Sequence, residues 1–263
     1  MSFEEYYSAF KAYSDIHSNE YRKRIEALEP LLMKFMPEKG RVLDLGCGAG
    51  GFSFLLEDMG FSVVGADNSD YMLSLAKGFA EERGSRVEFT KADARELPFE
   101  DNSFDYVLFI DNLVHFGPLD LGKVFREIAK VLKPNGRLLL QFTDLRALLP
   151  VLMNGQVIGS EYWISRALPD KDEKTVLIEF QSEEKSFRVR FNVWGKTAVE
   201  LLAKIYFKKI GEEKINEHTH FQVYEPKKMN QASMRRRFMT NSLSREAKNG
   251  ASLGPRSFPM KSQ

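Results

Sequence analysis

One cysteine, Cys47, in 263 residues excludes an intramolecular disulfide framework. No apolar run approaches the ~18 residues of a membrane-spanning helix. The N-terminus, MSFEEYYSAF, carries acids where a signal peptide carries positive charge, so no leader is expected. These absences point to a cytoplasmic protein that does not enter a membrane. His218 and His220 share a candidate strand, yet no carboxylate or cysteine cluster joins them, and no metal site is expected. The body also lacks positive charge. Lys227 to Gln263 holds nine Lys/Arg against one Asp/Glu, so the +1 of the whole chain leaves residues 1–226 at −7. An acidic body does not suit a nucleic-acid backbone, and the basic tail allows at most a weak polyanion contact.

What the chain has is a 43% hydrophobic composition and one informative stretch, RVLDLGCGAGGFSFLLEDMG, from Arg41 to Gly60. Val42, Leu43 and Leu45 read as a buried parallel strand. Gly46, Gly48, Gly50 and Gly51 follow, and then Phe52, Leu55, Leu56 and Met59 recur at helical spacing. Strand, glycine loop and helix N-terminus together make a seat for a small polar molecule. Gly46, Gly48 and Gly51 satisfy the G-x-G-x-x-G dinucleotide fingerprint. A structural turn and a nicotinamide dehydrogenase therefore both stay open at this point.

Beyond the loop, strands and helices alternate. Phe61 to Asp67 is a second strand ending in an acid, and Asp67 lies 16 residues after Gly51, near the spacing at which a carboxylate reads ribose hydroxyls. Ser69 is placed to cap the next helix. Val87 to Thr90, Phe104 to Ile110 and Arg137 to Phe142 are further strands, with a turn at Lys133 to Gly136. This rhythm predicts a doubly wound, mostly parallel α/β sheet.

Residues 1–36 read as an N-terminal helical segment, interrupted or kinked at Pro30, that either packs on the sheet or serves as a lid with Tyr13 or Arg22 reaching the ligand. Residues 37–228 form the main domain. Within it, residues 145–193 break the rhythm with three segments, Val157 to Ser165, Thr175 to Gln181 and Phe187 to Trp194, read as an inserted antiparallel cap. Tyr162, Trp163 and Trp194 give the cap an aromatic surface. Thr197 and Glu200 offer a capping box, and His218 to Tyr224 closes the sheet. Residues 229–263 have little apolar periodicity and read as a disordered basic tail.

The motifs D-L-G-C-G-A-G at 44–50, G-A-D-N-S at 65–69, A-D-A at 92–94, F-D-Y-V at 104–107 and L-K-P-N-G at 132–136, in this order, resemble those of class I S-adenosylmethionine-dependent methyltransferases acting on small molecules. The resemblance implies a Rossmann-like, seven-stranded sheet whose last strand is reversed. It implies S-adenosyl-L-methionine as cofactor and in-line methyl transfer to a small-molecule acceptor. It implies Asp44, Gly46 and Gly48 around the methionine part, and Asp67 on the ribose with Asn68 beside the adenine. Asp93 and Ala94 would face the adenine edge, with Ile110 near the sulfonium. No catalytic triad is required, since the cofactor carries the reactivity. Asp111 and His115 are the nearby candidates for a base. A methyltransferase-like subunit that binds without catalysis is the remaining alternative, and the acceptor's identity is not written in these residues.

Overall fold

The computed structural model describes residues 14–153, 163–172, 174–181 and 186–227. Residues 1–227 make up one compact unit. Tyr6, Tyr7, Phe10, Tyr13, Val157, Tyr162 and the basic tail lie outside the described residues. The strands are β1 (Arg41–Leu45), β2 (Ser62–Asp67), β3 (Glu88–Lys91), β4 (Phe104–Ile110), β5 (Leu132–Thr143), β6 (Trp163–Pro169), β7 (Thr175–Gln181), β8 (Ser186–Asn192), β9 (Phe207–Lys214) and β10 (Thr219–Pro226). The helices are α1 (Asn19–Phe35), α2 (Gly51–Asp58), α3 (Asp70–Arg83), α4 (Pro118–Val131), α5 (Leu145–Met153) and α6 (Lys196–Tyr206).

Seven strands form one sheet in the order β3-β2-β1-β4-β5-β10-β9. The first five run parallel, and β10 runs antiparallel to both β5 and β9. The expected doubly wound sheet with one reversed strand is therefore the observed one. Its centre, β4, reads FDYVLFI and is apolar on both faces, as a doubly covered strand must be. Val107 and Phe109 pack with Val124, Phe125 and Ile128 of α4 and Val199 of α6. Tyr106, Leu108 and Ile110 pack on the other face with Leu28 and Leu32 of α1 and Phe54 and Leu56 of α2.

The structure corrects several local readings. Helix α1 runs through Pro30 without a break. Leu28 and Leu32, both buried on the sheet, flank the proline, and their burial outweighs the one missing backbone hydrogen bond. β5 starts at Leu132 rather than Arg137. Its pairing jumps from Phe104↔Leu132 to Tyr106↔Arg137, so the Lys133 to Gly136 turn loops out inside the strand. The Thr197–Glu200 capping box does not form. Gly195 is the cap of α6, and Asp144 accepts from the Lys196 N–H instead. Glu200 is drawn away to Lys209 and Gln222. Strand β9 was not expected, because FKKIGEEK shows only weak alternation at an edge.

β6, β7 and β8 form a separate three-stranded antiparallel sheet in that order. Its inner residues Ile164, Val176, Ile178, Phe187 and Val189 bury Leu145, Leu149 and Leu152 of α5. That helix was missed, because Pro150 sits inside it. No described helix is long and apolar enough to cross a membrane.

Candidate functional site

The site lies at the carboxyl ends of β1, β2 and β4, where an open α/β sheet binds ligands. β1 stops at Leu45 and the chain turns through Gly46 (φ 72°), Gly48 (φ 56°) and Gly50 (φ 86°), a run of left-handed residues. The turn is pinned by Gly46 N–H and Cys47 N–H, which both donate to Ala66 O at 2.7 and 3.1 Å. Asp67, at the end of β2, pins it again. One carboxylate oxygen accepts from Gly48 N–H at 2.9 Å, and the other accepts from Ser69 N–H at 2.9 Å. Ser69 in turn caps α3, as its sequence position implied.

Asp44 lies under the loop, 3% exposed, and accepts from Ser53 Oγ at 2.6 Å. Burial pushes its carboxyl up to about 6, which the Ser53 bond only partly offsets. Burial also raises Asp67, against the pull of its two backbone donors. Cys47 is half-buried in the same loop, and desolvation pushes its thiol up. It is a small loop residue and not a thiolate nucleophile.

The cleft has two arms. Asp44, Gly46, Gly48, Asp67, Ile110, Asp111 and His115 line one. Asp67, Asn68, Asp93, Ala94 and His115 line the other. Each of the ten residues expected from sequence thus lines one or other of two pockets that share Gly46, Asp67, Asn112 and His115. Asp93 does not stand open, however. Arg95 holds it with Nε at 2.9 Å and a terminal nitrogen at 2.6 Å, and this pairing lowers its carboxyl. His115 is sheltered, and burial alone lowers its imidazole to about 4, so it is neutral at neutral pH.

Sequence reading missed other residues of the cleft. Arg22 is exposed, and the α1 residues that line the cleft are Tyr21 and Arg24. Helical spacing alone does not separate Arg22 from Arg24 without the helix's rotation on the sheet. Arg24 pairs with Asp111 at 2.9 Å and lies 5.5 Å from the Phe52 ring centroid. Tyr21 Oη is buried and has no hydrogen-bond partner among the described residues. It sits over Gly51, where an added Cβ would lie 1.9 Å from it. Phe191 of β8 forms the far wall. The cap is bolted to the segment after β4: Asn192 Nδ2 donates to Val114 O and Trp194 Nε1 to Phe116 O, each at 3.0 Å. Trp194 thus serves as an anchor and lines a different depression, beside Asp144 and Lys196. Among the described residues no group of His, Cys, Asp and Glu is arranged to hold a metal.

These residues fit S-adenosylmethionine. Three carboxylates, Asp44, Asp67 and Asp111, face a ligand carrying a sulfonium and an ammonium. The orphaned Tyr21 hydroxyl and Arg24 offer donors to its carboxylate, and the lone pairs left on Asp67 can accept from the ribose diol. A family model described as "Methyltransferase domain" matches residues 42–136. A crystal structure of the PH0226 protein from Pyrococcus horikoshii OT3 is 60% identical with a TM-score of 0.79, covering 86% of this chain and 100% of that one. An S-adenosylmethionine-dependent methyltransferase from Clostridium acetobutylicum shares the fold at 17% identity and a TM-score of 0.67, covering 85% of this chain and 98% of that one. The sterol 24-C-methyltransferase erg6 of Schizosaccharomyces pombe is 43% identical over 99 residues, 36% of this chain. That match spans only 26% of the yeast protein's length. With this fold and this cleft, the chain belongs to the class I S-adenosylmethionine-dependent methyltransferases.

Proposed function

We propose that the chain transfers a methyl group from S-adenosylmethionine to a small-molecule acceptor held between the post-β4 segment and β8. The observation that carries this is the convergence of the Asp44–Asp67–Asp93 series with Ile110, His115 and Phe191 in one cleft. When bound, the cofactor supplies an electrophilic methyl on a cationic sulfur. The protein's own work is to bind, orient and exclude water.

In this reading Asp67 takes the ribose diol, Asn68 and Ala94 border the adenine, and Asp93 reaches it once Arg95 shares its carboxylate. Gly46 and Gly48 let the backbone approach the methionine part, and Asp44 adds negative charge beneath it. Tyr21 and Arg24 close the lid side. Asp111, engaged by Arg24, serves as a latch for α1, which favours His115 of the two candidate bases. His115, neutral and lining both arms, accepts the proton that an O–H or N–H acceptor loses as its bond to the methyl carbon forms. The apolar wall of Ile110, Val114 and Phe191 supports a compact organic acceptor. The acidic body and single cysteine support work in the cytoplasm and argue against a nucleic-acid substrate.

The test is incubation with methyl-labelled S-adenosylmethionine and a fractionated pool of small metabolites. Label in one metabolite, with equal formation of S-adenosylhomocysteine, is the expected result. Tight cofactor binding without turnover in any fraction favours the non-catalytic subunit.

A further inference from the structure

β1 and β4 are neighbours at the point where the sheet order reverses. Their carboxyl ends leave backbone carbonyls at the floor of the cleft, beyond the last paired residues. One side chain answers three of them. Asn112 Nδ2 lies 2.8 Å from Ile110 O, 3.1 Å from Leu45 O and 3.4 Å from Gly46 O. Its two hydrogens make the two shorter bonds and share the longer contact. The carboxamide lies against Gly46, where an added Cβ would fall 2.3 to 2.5 Å from its atoms. Asn112 also borders both arms of the cleft.

The residue before it, Asp111, has φ 57°, a left-handed conformation that a non-glycine residue keeps only where its surroundings impose it. Two contacts impose it here: the Arg24 ion pair on the Asp111 side chain and the Asn112 bond back to Ile110 O. The structure thus joins the glycine loop and the post-β4 segment through a single carboxamide.

We infer that Asn112 is a positioning residue, a strut between β1 and β4 that holds the cofactor loop and the acceptor segment at a fixed separation. The inference rests on the methyltransferase reading of this cleft. It explains the residue type. An ionised aspartate presents only acceptors to the carbonyls, and serine offers one hydrogen where the carboxamide offers two. The strut's hydrogen bonds all go to Leu45, Gly46 and Ile110 and none to Asp67, Asn68, Asp93 or Ala94, so the nucleoside arm, although Asn112 borders it, is the less sensitive of the two.

The experiment titrates wild type, Asn112→Ala, Asn112→Ser and Asn112→Asp with S-adenosylhomocysteine and, separately, with adenosine, by calorimetry well below the melting temperature of each. Wild-type binding of S-adenosylhomocysteine tests the underlying reading by itself. For the strut, S-adenosylhomocysteine affinity is expected to fall about tenfold in the alanine variant and about a hundredfold in the aspartate variant. Serine is expected to lie between wild type and alanine, while adenosine affinity stays within about twofold throughout. Equal losses for both ligands, or a lowered melting temperature with unchanged S-adenosylhomocysteine affinity, overturn the inference. Should the aspartate variant not fold, the alanine and serine pair decides in the same way.

Discussion

The two ends of the cleft are built differently. At the cofactor end the backbone decides. Gly46 and Gly48 adopt positive φ, and Asp67 and Ala66 hold the loop through main-chain N–H groups. At the end proposed for the acceptor, side chains from distant segments meet. Phe191 arrives from β8, and Ile110 and His115 from β4 and its following turn. A site made of backbone needs one contiguous motif and tolerates few residue types. A site made of converging side chains needs none and can change one wall at a time. The family match over residues 42–136 takes in the whole glycine loop together with Ile110 and His115, and leaves out Phe191.

The largest expected effect breaks the cofactor end. Gly46→Ala combines a strained left-handed backbone, costing about 1–3 kcal/mol, with a Cβ 2.3 Å from the Asn112 carboxamide. S-adenosylhomocysteine binding is expected to fall at least ~100-fold by calorimetry. Next comes Asp67→Ala. It removes a carboxylate that already holds the Gly48 and Ser69 N–H groups. At about 1.5–3 kcal/mol per charged hydrogen bond, the expected loss is roughly 10- to 100-fold. An unchanged affinity would reduce Asp67 to a turn residue.

A smaller effect sharpens the contrast from the other end. Phe191→Leu keeps the wall apolar but recedes from the cleft. S-adenosylhomocysteine affinity is expected to stay within about twofold, while label transfer to the native acceptor falls roughly tenfold. Equal losses of both would erase the division between the ends.

An effect of a different kind, on stability rather than on binding, is in the pH dependence of that stability. Asp44 is raised by burial to about 6, so between its unfolded value and about 6 the fold holds it protonated while the unfolded chain does not. Stability from this group is present below its unfolded value and is lost as pH rises to about 6. His115 is lowered to about 4, so its contribution has the opposite sign and is gained as pH rises from about 4 towards its ordinary value. The two largely cancel between pH 4 and 6. Asp44→Asn keeps an acceptor for Ser53 and removes a buried charge. It is expected to stabilise the protein by up to about 3 kcal/mol at pH 7 and to make stability rise with pH. His115→Asn should make stability fall with pH in the same window. Denaturant midpoints at pH 4, 5, 6 and 7 check both signs.

The same division set what was legible in the sequence. The order of β1 to β5 and the seat at Gly46 to Gly51 were readable because glycine, alternation and caps act within a few residues. Ser69 is an example: its cap depends only on Met72, three positions on. The capping box at Thr197 failed because a distant residue, Asp144, reached the helix end first. Arg24 and Asn112 were not singled out for a related reason. Arg24 is placed by the rotation of α1 on the sheet, and Asn112 gains its role only when β1 and β4 lie side by side. The three-stranded sheet was legible from alternation in β7 and β8, but its docking through Asn192 and Trp194 was not.

The central claim is that the cleft is a seat for S-adenosylmethionine, and one calorimetric titration of the full-length protein with S-adenosylhomocysteine and with NAD tests it most directly. The account predicts a one-to-one complex with S-adenosylhomocysteine and no measurable heat with NAD, since the carboxyl groups of Asp44, Asp67 and Asp111 line the cleft that the anionic pyrophosphate of NAD would have to enter. Tighter binding of NAD than of S-adenosylhomocysteine would contradict it.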